Sequence, residues 1–560
     1  MSEQKKYDIV IVGSGAGAGP IAYELSRAGK KVLVLEKGPW FKTDDFFKDE
    51  IVSSRRSVYI PNLSDEPQVI EELNSDGEWL AKSNADTGRD FWNGSAVGGS
   101  SNFMSGYFHR MKPVDFKLLS EFGGIEGANI VDWPVSYEDL EPYYDKVEKI
   151  VGVSGEARKH STMEPRSSLD FPFPPLSENI VSTLIDEACK KEGYNAVRGA
   201  RSILSQPKGE RTSCSYSHYC GSYGCSTGAK SSSRVALLDV ALETGNLDIS
   251  AFSKVFYLKS KDTKIIEAHY YDMDGKVQKA YADIFVVAGQ AIESARLLLM
   301  SKNEKFPNGL ANNNGQLGKN LIFSGGGVGT GELHKRDMSE EDFEKLLQPG
   351  VFVNRAIQNW YTINDKKLGK AKGGTVDFLF EHSNPTGKAI RQKWNNDGSL
   401  IYGSALKKKL KYYFTQMRKL SFEVFNDWLP TDNCFVTLDP EVKDKWGDNV
   451  ARIRISNHKQ DIRIGEFLAE KAERILENLG AKNIQSNISG GAPPNLVAGG
   501  CRFGNDPKTS VLDKNCKAHE VDNLYVTDAS FMPTGGSVPY TWTIYANSFR
   551  VADEILKRLN

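Results

Sequence analysis

No stretch of the chain approaches the roughly 18–20 consecutive apolar residues that a bilayer-spanning helix requires, so no transmembrane segment is expected. A surplus of either charge is missing too: 71 Lys and Arg stand against 72 Asp and Glu, a formal net charge of −1. Without a basic excess there is no global electrostatic case for a nucleic-acid partner. Cysteine is sparse, seven in 560 residues, odd in number and widely scattered. That pattern argues against a disulfide scaffold. Internal repeats and low-complexity tracts are absent, which leaves no repeat array to consider.

What remains is the composition of a folded globular chain, 39% hydrophobic and 26% charged. It is long enough to bury one large core or two joined ones. The opening MSEQKKYDIVIVG enters a strand almost at once and leaves no room for the charged and apolar regions of a signal peptide. The expected location is therefore the cytoplasm, unless a partner subunit carries an export signal.

Residues 7–12 (YDIVIV) read as a buried parallel strand, 20–28 as a helix and 31–36 (KVLVLE) as a second strand, together a βαβ unit. Later, 284–288 (IFVVA) and 524–527 (LYVT) read as strands, and 292–300 and 538–556 as helices. Both chain ends then belong to one nucleotide-binding domain with the middle inserted into it. Residues 331–487 mix aromatic-rich strand segments (376–380, 421–425, 451–456) with charged helices, and read as a second domain on an antiparallel sheet. Helix 462–479 has one apolar face. Segment 405–420 is basic and amphipathic, with Leu406, Leu410, Tyr413, Met417 and Leu420 on one face. It reads as a surface helix over the sheet, with a membrane-surface helix as the alternative.

The turn after the first strand, Gly13-Ser14-Gly15-Ala16-Gly17-Ala18-Gly19, matches GxGxxG/A. Gly13 allows the tight turn, and Gly15 lets the backbone approach a pyrophosphate at the helix N-terminus, where free N–H groups favour anions. Glu36 ends the second strand, where an acid can accept from ribose hydroxyls.

The motif alone does not separate FAD from NAD. Residues 91–102 (FWNGSAVGGSSN), followed by Tyr107-Phe108-His109-Arg110, resemble the flavin-wrapping segment of the glucose–methanol–choline (GMC) oxidoreductases. Residues 523–552 resemble that family's C-terminal signature, and the likeness is strongest to its bacterial sugar and polyol dehydrogenases. The resemblance implies FAD as cofactor, held by Gly13, Gly15, Ala16, Glu36, Lys37, Trp92, Gly98, Gly99, Ser100, Ser101, Asn102, Met104, Val255 (beside the adenine), Ala288, Asp528, Ala529, Tyr540 and Thr541. It implies a Rossmann-like α/β FAD-binding domain (1–120, 200–330 and 488–560) with an inserted α+β substrate domain (121–199 and 331–487). It implies oxidation of an organic alcohol, a sugar or polyol among the options, by hydride transfer to flavin N5.

In one respect the chain departs from the family. The family's catalytic His lies in HxxGTxRMG, and its His or Asn partner in NPxxTI. Here gapless frames put Leu496 and Pro539 in those places, and neither can exchange a proton. Substitutes near the motifs are Tyr540 and Asn495, with His109 and His218 further off. Base-free chemistry (double-bond, lyase or decarboxylase type) and a flavin-holding electron-transfer subunit stay open beside alcohol oxidation. Cys214, Cys220 and Cys225 cluster within one loop. Three such thiols can ligate an iron–sulfur cluster, as in some membrane-linked GMC dehydrogenases. Their spacing differs from that pattern, so a metal-free structural loop is the expectation. A small organic substrate, an electron acceptor of unspecified kind and a redox partner subunit complete the implied set.

Overall fold

The computed structural model describes residues 6–47, 61–91, 93–157, 162–395, 397–488 and 496–560. Strand β1 (Lys6–Val12) carries an Ile/Val run with no exposed side chain from Ile9 to Val12. A strand covered on both faces belongs in the middle of a parallel sheet. It pairs in parallel with β2 (Val32–Leu35) on one side and with Val277–Val287 on the other. Leu247–Ser250 extends the sheet beyond β2, and Leu524–Val526 extends it beyond Val277–Val287, both parallel. Segments from both ends of the chain thus share one sheet. The crossover from β1 to β2 is α1 (Gly19–Arg27), with Pro20 in its first turn, where the missing N–H costs nothing. The C-terminal helix Thr541–Leu559 packs on α1, with Tyr23 edge-on to Phe549. It begins three residues later than the sequence pattern indicated, because Pro539 and Tyr540 stay in the preceding turn.

A second, six-stranded antiparallel sheet runs in the order Lys482–Asn487, Gly325–His334, Met417–Asn426, Gly374–Phe380, Val353–Ile357, Ala196–Val197. Helix Lys459–Asn478 covers one face, where Leu420, Phe422 and Val424 meet Ile464, Leu468 and Ile475 in a buried core. By the two-residue period of a strand, Glu423 and Phe425 point to the opposite face.

Two expectations change. The basic helix runs from Gly403 to Thr415 and stops there. Met417 and Leu420 belong instead to the strand Met417–Asn426, so the five-residue apolar face does not form. The Leu420/Phe422/Val424 alternation pairs with ten residues of Gly325–His334, and that tertiary pairing outweighs the local helical pattern. Strand Asn449–Ile455 does not join the six-stranded sheet. It pairs with Val69–Leu73 in a separate four-stranded sheet packed on helix Ala291–Met300. A pairing so distant in sequence has no local signal.

Candidate active site

At the C-terminal end of β1 the chain turns at Gly13, with φ +91°. A Cβ there would lie 2.4 Å from the Ala288 carbonyl oxygen, so only glycine fits. Gly15 is different: a Cβ there meets nothing within 4 Å and would project into open space. That space is a cavity of about 330 Å³. Glycine at position 15 therefore keeps room for something other than protein.

Glu36 locks the turn. Its Oε2 accepts from the Ser14 amide (3.1 Å) and hydroxyl (2.6 Å), and its Oε1 from the Gly38 amide (2.9 Å). Burial pushes the Glu36 carboxyl above its ordinary range, against these hydrogen bonds. Ser14 Oγ also accepts from the Gly98 amide at 2.9 Å, which ties the turn to the 93–104 segment. Within that segment Ser101 Oγ donates to Gly98 O (2.6 Å) and Asn102 Nδ2 to Val97 O (2.9 Å).

The cavity brings most of the expected residues together. Gly13, Gly15, Ala16, Glu36, Lys37, Gly99, Ser100, Ser101, Met104, Val255, Ala288, Asp528, Ala529, Tyr540 and Thr541 all line it. Gly98 and Asn102 do not: they stand behind the wall and shape it through the bonds just given. Trp92 and Asn495 lie outside the described residues. Ser95 Oγ, on the same wall, is buried without a partner among the described residues. A buried hydroxyl left over in this way is a donor waiting for an outside acceptor. Asp528 accepts from the Ser294 hydroxyl and, at 2.8 Å, from the Ser530 amide, and burial raises its carboxyl. Lys254 and Arg296 join the wall from outside the predicted set, both held by Asp444.

Tyr107, Glu423, Phe425, Leu496, Pro539 and Tyr540 line the cavity as well. Leu496 sits at φ +58°, a region that branched residues avoid. Its side chain and Pro539 make this wall apolar. Tyr540 is buried, its hydroxyl donates to the Phe323 carbonyl at 2.8 Å, and burial holds its ionisation well above the ordinary tyrosine range. Glu423 reaches in from the second sheet, and its Oε2 accepts from the Tyr107 hydroxyl at 2.7 Å. Enclosure within the protein, with the Asp377 charge adding, pushes the Glu423 carboxyl up to about 7 against that hydrogen bond. The two remaining histidine candidates are elsewhere. His109 Nε2 lies 3.1 Å from Asp377 Oδ1 and faces a different cavity. His218 stacks on Phe380 with Nε2 2.9 Å from the Gly350 carbonyl, away from Leu496.

A GMC oxidoreductase model matches residues 10–323, and a second of the same description matches 430–548. The chain belongs to the GMC oxidoreductase family. As a GMC oxidoreductase it is an FAD-dependent enzyme acting on alcohol groups. It is 29% identical to 2-methyl-1,2-propanediol dehydrogenase of Mycolicibacterium austroafricanum, over 99% of this chain and 96% of that one. It is 25% identical to the fructose dehydrogenase large subunit of Gluconobacter japonicus, over 100% and 99%. Its fold matches that of an Aspergillus oryzae formate oxidase variant at TM-score 0.64 and 15% identity, over 100% and 99% of the chains.

In this GMC oxidoreductase the three-cysteine loop is packed rather than open. Cys214 and Cys225 lie against Ile203, Leu204 and Ala229, and Cys220 against the core of the second sheet. Lys230 Nζ donates to the carbonyls of Cys220 (2.9 Å) and Tyr223 (2.7 Å), closing the loop from inside. Among the described residues no group of three or more His, Cys, Asp or Glu side chains is placed to hold a metal ion. Among those residues, too, no helix is long and apolar enough to cross a membrane.

Proposed function

We propose that the chain oxidises a hydroxyl of a small polyol or sugar bound between Leu496 and Pro539 on one side and Tyr107 and Glu423 on the other. The observation that carries this reading is the mixed lining of the cavity. The hydrogen-bonded Tyr107–Glu423 pair shares it with the apolar Leu496, Pro539 and Phe425, which suits a molecule with both carbon and hydroxyl surfaces. Relatives that act on a diol and on a sugar support the same substrate class.

FAD, when bound, accepts a hydride from the carbinol carbon. The chain's own residues orient the two reactants and exclude water. The turn Gly13 to Ala16, ahead of the N-terminus of α1, would receive the pyrophosphate, with Ser95 as a further donor. Glu36 and Lys37 would meet the adenosine ribose, Val255 the adenine, and Asp528 and Ala529 the ribityl end. Met104, Tyr540 and Thr541 would border the isoalloxazine. We place the chain in the cytoplasm, since its seven cysteines are all free thiols, as suits a reducing compartment. A separate redox subunit is proposed as the electron acceptor, by likeness to a relative that is itself a large subunit.

The test is anaerobic mixing of the flavin-loaded protein with a panel of diols, polyols and sugars. Loss of the oxidised flavin band with formation of a carbonyl product is the expected result. A flavin that none of them reduces would leave the chain with other chemistry.

A further inference from the structure

Leu496 and Pro539 leave the flavin end of the cavity without the imidazole or amide that the family places there. Yet removing hydride from an alcohol requires the hydroxyl proton to go somewhere. An alkoxide in an apolar site with no acceptor is too costly to form. The proton acceptor has to be a side chain on the same cavity. Of the ionisable side chains that line it, Glu36, Lys37, Lys254, Glu293, Arg296 and Asp528 are tied to partners of their own, which leaves Tyr107, Glu423 and Tyr540 among the described residues. Tyr540 donates a hydrogen bond to the Phe323 carbonyl and Tyr107 donates one to Glu423, and burial keeps both phenols protonated.

We propose that Glu423 is the proton acceptor for alcohol oxidation, with Tyr107 as the residue that positions it. The inference rests on the alcohol-oxidation reading above. Glu423 Oε2 is fixed by the Tyr107 hydroxyl, and no other group among the described residues donates to the carboxylate, which leaves Oε1 for a substrate hydroxyl. The strand Met417–Asn426 is rigid: it is paired on both sides, and its other face is locked into the core under helix Lys459–Asn478. In the reaction the substrate O–H bond breaks and its proton passes to Glu423. The carbinol C–H bond breaks with its electron pair, and the alcohol leaves as a carbonyl compound, two electrons poorer. Those two electrons are taken up by bound FAD. The proton on Glu423 then exchanges with solvent.

The charged and titratable groups around Glu423 fit a base that works near neutrality. Asp377, its register partner on Gly374–Phe380, opposes a second negative charge. His109 sits behind Asp377, and the Arg201 guanidinium lies 5.7 Å from the Tyr107 ring centre. The partner on Gly325–His334 is Val328, which carries no charge. Burial and Asp377 bring the carboxyl to about 7, where a carboxylate is a far better base than in water.

The experiment combines two readouts on flavin-loaded protein. Infrared titration without substrate should show one carboxyl changing protonation near pH 7, lost in Glu423→Gln. Anaerobic stopped-flow reduction by an alcohol that reduces the wild type should rise with pH through the same value. In Glu423→Gln it should fall by about 10²-fold or more and lose that dependence. Tyr107→Phe removes the hydrogen bond that stabilises the carboxylate, so the rise should move to higher pH. This variant keeps the proposal testable if Glu423→Gln does not retain flavin. A Glu423→Gln protein that reduces at the wild-type rate overturns the proposal. So does a Tyr107→Phe profile that does not move, or a wild-type minus Glu423→Gln infrared difference in which no carboxyl titrates near pH 7. If no alcohol reduces the wild type, the parent reading fails and the proposal with it. If the wild type is reduced and the variants behave alike, the proposal alone fails.

Discussion

A valine side chain at position 15 would fill the space that Gly15 leaves open. Because a Cβ at Gly15 meets no protein atom, Gly15→Val should fold normally while its side chain occupies the pyrophosphate path. The expected product is a stable, colourless protein that does not take up added FAD, read by its absorption spectrum and melting curve. A yellow variant would show that the cavity is used differently. Tyr540→Phe is the second test at this scale. Its hydroxyl is already committed to the Phe323 carbonyl and resists ionisation. The flavin-reduction rate should change by less than about 10-fold, against the roughly 10²–10⁴-fold expected for a general base. A drop within that larger range would return the proton-transfer role to Tyr540. Leu496 and Pro539 could be located from sequence because their flanks align without gaps, and both do line the cavity. Glu423 could not. A single glutamate on a strand with one apolar face reads as a solvated position, and only the shared cavity, lined by both sheets, makes it an inward one.

The strand Met417–Asn426 has two jobs that can be separated. Phe422 faces helix Lys459–Asn478 and is fully buried, whereas Glu423 faces the cavity. Phe422→Ala should cost about 3–5 kcal/mol in denaturant unfolding and leave the flavin spectrum of the folded protein unchanged. A cost below about 1 kcal/mol would mean that this core repacks around the gap. Local pattern found this strand only in part. Met417 and Leu420 fit a helical period and the alternation starts only at Leu420, so the ten-residue ladder with Gly325–His334 decides the structure of 417–420. The βαβ unit at the N-terminus was readable throughout, because its glycines, its apolar runs and Glu36 all act locally. For the cysteine loop, metal analysis of anaerobically purified protein should find iron at background, and Cys220→Ser should keep its flavin. Stoichiometric iron and acid-labile sulfide, lost in Cys220→Ser, would overturn the packed-loop reading.

At the scale of the whole chain, the parallel part of the first sheet gathers residues 6–12, 32–35, 247–250, 277–287 and 524–526, and the second sheet sits across the cavity from it. Sequence motifs marked the first sheet because its turns carry phosphate-binding chemistry with fixed spacing. They did not mark the four-stranded sheet, whose members Val69–Leu73 and Asn449–Ile455 meet only after folding. In the function proposed above, the cofactor lies on the first sheet and the alcohol against the second. The most direct measurement is the absorption spectrum of the purified protein during anaerobic titration with diols, polyols and sugars. About one FAD per chain, with its oxidised band lost on adding at least one of these alcohols, is the predicted result. A folded protein that holds no flavin, or whose flavin stays oxidised with every alcohol tried, would contradict it.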